Sequence, residues 1–276
     1  MRLFFSGLRK LSRRPATYVT FGLLVGLIVL IVLAVGATAD SIGKGANTAT
    51  RSAAMKELVT FPGAYDRMLQ FILGFGGLLA MIYGAAIAGS EWGWGTLKSS
   101  VARGESRVRY MLVSFASVGF VVGIGLVLAF AIAIVAAVAG ANLAHVSTNG
   151  LSDSATIGQL PLQLVKGWVS MLEQTALGFT IATLARSQLA GIGVGIAFYF
   201  GEAFATILLP DVVKYMPFAV ANAAASTGSG GGAFGGGGGG VIATLPADQA
   251  LAFVFVWLIG ALIVTAIFSS RVEISG

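Results

Sequence analysis

Long uncharged runs alternate with short polar segments along this chain. Four runs carry no Asp, Glu, Lys or Arg: residues 15–39, 68–90, 110–152 and 249–270, which are 25, 23, 43 and 22 residues long. A helix needs about 20 apolar residues to cross the hydrocarbon core of a bilayer. Each run is therefore long enough to span a membrane, and the pattern predicts an all-α membrane protein with several crossings.

Six transmembrane helices are predicted when the less uniform stretch 160–209 is interpreted as a helical pair. Reading that stretch as one crossing plus a soluble loop would leave a strongly apolar segment in water. The first apolar run exceeds the roughly 7–15 residues typical of a signal-peptide core, so it is expected to stay in the membrane. The predicted limits are 16–37, 68–89, 110–140, 162–185, 188–209 and 247–268.

The distribution of Lys and Arg predicts which ends of the helices face the cytoplasm. The N-terminus, the 90–109 loop, Arg186 and the C-terminal tail hold 11 of the 17 basic residues but only three of the 11 acidic ones. Both termini and the 89–109 loop are therefore predicted to be cytoplasmic. The 210–246 loop, with its glycine-rich part 226–240, is predicted to be external. Residues 1–276 are interpreted as a single transmembrane domain.

Basic and apolar residues are interleaved in the segment 1–15, "MRLFFSGLRKLSRRP". One interpretation is a short cytoplasmic amphipathic helix whose basic side faces anionic lipid headgroups. The other is a plain positive-inside anchor for the first spanning helix. Both interpretations remain open at this stage, and both bring the segment close to membrane lipids.

The polar segment 89–110 reads "GSEWGWGTLKSSVARGESRVRY" and is longer than a simple chain reversal requires. Trp94, Leu97 and Val101 follow helical spacing, which predicts a short helix with these side chains on one face. Glycines on both sides predict bends, and Ser106 is a candidate cap for the next helix. The segment is predicted to present a rigid projection to the cytoplasm.

Extended through "MLVSF", the same segment resembles the region after the second spanning helix in permease subunits of the ABC-2 type transporter family. "LSRRPATYVTFGLL" and "LARSQLAGIGVG" also fit that family. A basic residue often stands in the family where Gly93 stands here. The resemblance implies a permease subunit that pairs with a second, identical or different, permease and docks separate cytosolic ABC ATPase subunits through a short cytoplasmic coupling helix between helices two and three.

The residues that the resemblance implies for ATPase coupling lie mostly in this segment, with Arg186 as a second, smaller contact. The alternative is an ordinary positive-inside loop anchored by its tryptophans. The implied coupling residues are Glu91, Trp92, Gly95, Thr96, Leu97, Lys98, Arg103, Arg107 and Arg186, with Arg109 flanking them.

Several functions are disfavoured by the composition and motifs. The sequence holds no GxxxxGK[ST] phosphate loop, so ATP and magnesium are expected on the partner subunit, and this chain is not expected to be an enzyme. With no cysteine and one histidine, no metal site is expected, and no nucleic-acid partner is expected either. The composition is compatible with a bacterial plasma membrane, which is the predicted location.

Three ionisable residues interrupt the predicted helices four and five: Lys166, Glu173 and Glu202. Ionisable groups at membrane depth generally face a cavity or a partner. Glu173 is interpreted either as a substrate contact or as a structural or neutral buried acid, and Glu202 as a residue near the external interface. The resulting hypotheses are an exporter permease for an amphiphilic, peptide-like or drug-like substrate, and a secondary transporter or channel that uses Glu173 and Glu202 for ion or proton coupling.

Overall fold

The structure is a computed structural model that describes residues 2–39, 56–225 and 245–271. Within these ranges the chain is helical and contains no strand. A 3-10 turn, Asn149–Ser152, lies just before the helix that begins at Ser154. The α-helices are α1 (Arg2–Leu11), α2 (Pro15–Thr38), α3 (Gly63–Gly93), α4 (Thr96–Ala102), α5 (Arg107–Leu143), α6 (Ser154–Ala185), α7 (Gln188–Leu208), α8 (Pro210–Val213), α9 (Pro217–Ala225) and α10 (Ala247–Arg271).

Five of these helices are long and apolar enough to cross a membrane: α2, α3, α5, α7 and α10. The prediction of an all-helical, multi-pass membrane protein is therefore confirmed. The predicted fourth span corresponds to α6, which is long enough but is not among these five. This helix carries Lys166, Glu173 and several uncharged polar residues, so its composition differs from that of a lipid-facing helix.

The centre of the bundle is the pair α3 and α6. In the most apolar stretch of α3, 83% of the residues are buried inside the chain. The corresponding share is 17% in α7 and in α10. Glycines allow the two axes to approach: a Cβ atom on Gly84 would overlap the backbone of Thr175, and one on Gly178 would overlap that of Met81. Small residues have this use in membrane helix packing because they let backbones come close.

The outer helices carry large apolar side chains that the chain itself leaves uncovered. Leu30 on α2, Ile207 on α7 and Val256 on α10 are all exposed. A water-soluble protein would bury such contiguous apolar surface, whereas hydrocarbon covers it without cost. The arrangement is thus a polar-containing central pair surrounded by apolar helices.

Several helix boundaries differ from the predicted ones, most of all those of α3 and α6. Helix α3 begins at Gly63 and ends at Gly93, beyond both predicted limits of 68 and 89. Helix α6 begins at Ser154 rather than 162, because Asp153 caps it by accepting a hydrogen bond from the Thr156 backbone nitrogen at 3.0 Å. The Thr156 hydroxyl also donates to Asp153, and these bonds hold the pKa of the Asp153 carboxyl below its usual value.

The predicted external loop 210–246 is only partly a loop. Helices α8 and α9 occupy its first half, each beginning at a proline, which is favoured at the first helical position. Most side chains of α9 are buried against α10, α6 and α3. The glycine-rich part 226–240 lies outside the described residues.

Candidate functional site

The 89–110 segment forms a helix end, a bend, a short helix and a second bend. Helix α3 ends at Gly93, and Gly95 then adopts a left-handed conformation with φ of 65° immediately before α4. Gly104 is also left-handed, with φ of 87°. This conformation favours glycine because it has no Cβ atom. Ser106 then caps α5, its hydroxyl oxygen accepting from the Arg109 backbone nitrogen at 3.3 Å.

The predicted face of α4 is confirmed for Leu97 and Val101, which pack in the same apolar cluster, but not for Trp94. Leu97 is buried, with 1% exposure, and packs in a cluster with Met111, Phe115 and Phe179. Trp94 lies before α4 begins and is 68% exposed, so it does not share that face. The left-handed turn at Gly95 breaks the helical register that the sequence spacing assumed.

Glu91 is the central residue of the segment and is almost completely buried, with 1% exposure. Its Oε1 atom accepts from Lys10 Nζ at 2.5 Å and from Arg14 Nη2 at 3.3 Å. Its Oε2 atom accepts from the Thr96 hydroxyl at 2.5 Å and from the Tyr110 hydroxyl at 2.6 Å. These five residues are called the Glu91 cluster below.

The Glu91 cluster joins four parts of the chain: α1, the start of α2, the α3–α4 turn and the start of α5. Two cations and two hydroxyl groups compensate the single buried carboxylate, which is the condition under which a buried charge is tolerated. Burial lowers the pKa of Lys10, and the hydrogen bond and charge of Glu91 oppose that effect. The predicted coupling residues Glu91 and Thr96 therefore make internal contacts.

Arg14 extends the cluster toward the surface. Its Nη1 atom donates to the Ser90 hydroxyl at 2.6 Å, and its guanidinium carbon lies 4.8 Å from the centroid of the Trp94 ring. A cation over an aromatic face is attracted by the ring quadrupole. Arg14 thus holds the exposed Trp94 ring against the buried cluster.

Helix α1 packs across α5 and brings Lys10 to Glu91. The Ser117 hydroxyl donates to the Phe4 carbonyl at 3.3 Å, and the Phe4 and Phe120 rings meet edge to face at 5.8 Å. Phe5 and Arg9 remain exposed on the opposite side of α1. The N-terminal segment is therefore a packed part of the fold and not only a positive-inside anchor for α2.

Arg186 lies beside the 89–110 segment, as the second predicted contact. It ends α6 in a left-handed conformation with φ of 50°. Its guanidinium carbon lies 5.7 Å from the Trp92 ring centroid and 5.5 Å from that of Phe268. The structure thus places Arg186 next to Trp92, and these two predicted coupling residues are 94 residues apart in the sequence.

The remaining predicted residues of the segment differ in exposure. Arg103 and Arg109 are exposed, whereas Arg107 is half-buried. Lys98 lies within α4, and its side chain is outside the described residues. The exposed surface around the Glu91 cluster is consequently aromatic and basic, with Trp94, Arg103, Arg109 and Arg186 as its members; this set is called the aromatic–basic face below.

Glu173 lies in the middle of α6 and has an environment unlike that of Glu91. It is fully buried, with 0% exposure, and no group within the described ranges donates a hydrogen bond to either carboxyl oxygen. The Ser170 hydroxyl and the Gln174 amide oxygen beside it are likewise buried without a partner there. Lys166 is half-exposed two turns away and forms no ion pair with Glu173.

Glu202 on α7 has a defined structural contact. Its two carboxyl oxygens accept from the backbone nitrogens of Phe218 at 3.2 Å and of Ala219 at 2.5 Å. These nitrogens are at the start of α9, where the helix has unpaired N–H groups and a partial positive charge. Glu202 therefore caps α9 from a neighbouring helix and is buried within the chain.

Sequence reasoning did not identify Lys10, Arg14 or Tyr110 as parts of the site. The first two are separated from Glu91 by 81 and 77 residues. One usable signal was an acidic residue at the end of an apolar span, which demands a nearby cation. Comparison with protein-family models gives no match for this chain, and comparison with curated proteins gives none either.

Proposed function

We propose that this chain is the permease subunit of an ATP-binding-cassette exporter. In this proposal the chain spans the membrane six times with both termini in the cytosol. It pairs with a second permease and docks cytosolic ATPase subunits through the 89–110 segment. The substrate moved outward is amphiphilic, peptide-like or drug-like, and the location is a bacterial plasma membrane.

The observation that carries the proposal is the Glu91 cluster. A loop that only reversed the chain would need no buried carboxylate with four donors. Here the cluster fixes α4 to α1, to the end of α3 and to the start of α5. A push on α4 is therefore transmitted to three membrane helices, since α1 leads directly into α2.

The aromatic–basic face supplies chemistry suited to a protein partner. Tryptophan and arginine are the residues most enriched among those that dominate binding energy at protein interfaces. Trp94, Arg103 and Arg186 are all exposed. A groove with apolar and acidic groups on an ATPase subunit would complement this face. ATP and magnesium would then be bound by the partner, since no phosphate-loop motif occurs in this sequence.

The proposal is tested by purifying the tagged full-length chain from its native membranes in mild detergent and identifying proteins that accompany it in stoichiometric amounts. A soluble P-loop ATPase is expected. The double variant Trp94→Ala/Arg103→Ala changes only exposed groups and should lose that ATPase while remaining folded. Leu97→Ala should lose it as well, because the removal of a buried anchor displaces α4.

A matched control is Lys214→Ala, which removes a half-buried basic residue beyond the far end of α7. It should retain the ATPase. If no P-loop ATPase accompanies the wild-type chain under conditions that preserve other complexes, the exporter proposal fails. If the ATPase is present but is retained by the double variant, the docking site lies elsewhere on the chain.

A secondary transporter or channel is the second candidate, and the environment of Glu173 favours it. A buried carboxyl group with no donor within the described residues is a typical ion- or proton-coupling residue. Transport that persists in vesicles without ATP and follows a proton gradient would identify this class. Transport that requires ATP would exclude it.

A further inference from the structure

We propose that Glu173 is a proton-binding site within the bundle: its side chain is a neutral carboxylic acid in this structure and exchanges its proton with solvent. Glu202, the other carboxyl group in this part of the bundle, differs from Glu173 because it accepts two backbone hydrogen bonds. The site belongs to this chain alone and depends neither on an ATPase partner nor on a particular transported substrate.

The first argument is the cost of an ionised Glu173. The residue is fully buried, and no described group donates to either oxygen. Moving an isolated carboxylate into such surroundings costs far more than protonating it, so the group takes up a proton instead. A cation would be the other solution, but no ion pair is present for Glu173 among the described residues.

The second argument is the position of Glu173 on α6. Val169, one turn earlier on the same face, packs against a cluster formed by α9 and α10. Thr180, two turns later, donates to the Ala261 carbonyl at 3.0 Å and bonds to Thr265, both on α10. Residues at these spacings share a helix face. Glu173 therefore faces the α9 and α10 side of the bundle and not the lipid.

The third argument is the scarcity of charge on the helices packed around α6. The short helix α9 has no titratable residue, and α7 contributes Glu202 and Tyr199. The titratable groups of α3, α5 and α10 lie near helix ends, apart from Tyr83 in α3: Tyr65, Asp66, Arg67, Glu91, Arg107, Arg109, Tyr110, Asp248 and Arg271.

The contrast between the two carboxyl groups favours the neutral form at Glu173. Glu202 accepts from two backbone nitrogens at a helix N-terminus, which stabilises its charged form. Glu173 has no such donors. A buried carboxyl group without donors to stabilise its charged form is the one whose neutral form is favoured. Helix α9, which Glu202 holds in place, packs on α6 and therefore controls access to Glu173 from that side.

Infrared spectroscopy of the full-length chain in lipid nanodiscs tests the proposal directly. At neutral pH the wild-type protein should show the carbonyl stretch of a protonated carboxylic acid, and transfer to D2O should shift it. The band should be absent in Glu173→Gln. It should remain in Glu202→Gln, where the looser attachment of α9 should make the D2O shift faster.

Glu173→Asp provides the matched variant, because it keeps a carboxyl group at the same helix position and should restore a band. If Glu173→Gln does not fold, Glu173→Asp still shows whether the band depends on a carboxyl group at this position. The proposal is overturned if wild type lacks the band, or if the band never shifts in D2O. It is equally overturned if Glu202→Gln removes the band, or if sodium ions abolish it at constant pH, since sodium would then be the ligand.

Discussion

Glu91 and Glu173 are both buried carboxyl groups in one chain, yet their surroundings are opposite. Glu91 lies at one end of the bundle among two cations and two hydroxyl groups, whereas Glu173 lies in its middle with no donor in the described part of the chain. Burial alone therefore does not define a role. A fully compensated charge fixes structure, and an uncompensated acid is available for chemistry.

The largest expected effect is that of Glu91→Ala, which leaves Arg14 buried without its carboxylate. Breaking a buried ion pair by removing one partner costs about 3–5 kcal/mol. The free energy of unfolding, measured by titration with SDS in mixed micelles, should fall by this amount.

Glu105→Ala is the control for Glu91→Ala. It removes a half-buried acid from the same segment that makes no ion pair within the described residues. A change of about 0.5 kcal/mol or less is expected for such a substitution. Equal losses for the two variants would contradict the central position of Glu91.

Tyr110→Phe should have the next largest effect. The variant keeps the ring but removes the hydroxyl that donates to Glu91 Oε2 at 2.6 Å. A hydrogen bond to a charged group contributes about 1.5–3 kcal/mol. Tyr18→Phe, which removes an exposed hydroxyl bonded to the Ser12 carbonyl, should change the unfolding free energy less in the same assay.

Glu202→Gln should destabilise the chain by about 1 kcal/mol, the usual value for a helix cap. The glutamine oxygen still accepts a hydrogen bond, but the charge that favours the start of α9 is lost. Hydrogen exchange of the α9 amides should accelerate, while that of α3 should not change. Asp211→Asn, an exposed acid paired with Lys214, is the control, and unchanged exchange in both variants would refute the cap.

The smallest effect is expected for Glu173→Gln. An acid that is already neutral loses no charge when an amide of the same shape replaces it, so the unfolding free energy should fall by much less than in Glu91→Ala. A loss as large as that of Glu91→Ala would mean that Glu173 is ionised and paired, and the contrast between the two carboxyl groups would disappear.

The sequence predicted the helical class and most of the apolar spans because hydrophobic runs report burial in lipid directly. The Glu91 cluster could not be predicted, since Lys10 and Glu91 meet only after α1 folds back on α5. The prediction that Trp94 shares a helix face with Leu97 failed for a local reason. The left-handed Gly95 changes the direction of the chain between them, and the spacing of apolar residues does not reveal such a turn.

The cap of α9 was missed for a different reason. Met216 precedes Pro217 where a Ser, Thr, Asp or Asn would normally stand, so the helix start lacks a local acceptor. That deficiency was a signal that a distant residue must supply one. Glu202 was noticed as an intramembrane acid, but its partner N–H groups belong to backbone, which leaves no trace in residue type.

The close approach of α3 and α6 has a mechanical consequence. Backbone-to-backbone contacts at Gly84 and Gly178 leave no side-chain layer between the helices that could deform or slide. The pair is therefore expected to move as one rigid unit. Relative motion is expected in α2 and α10 rather than in α7, because the backbone of α7 also approaches the pair closely, at Gly191 against Ala182 and at Gln188 against Gly89. Cross-links between α3 and α6 should leave the proposed transport intact, whereas cross-links from this pair to α2 or α10 should stop it.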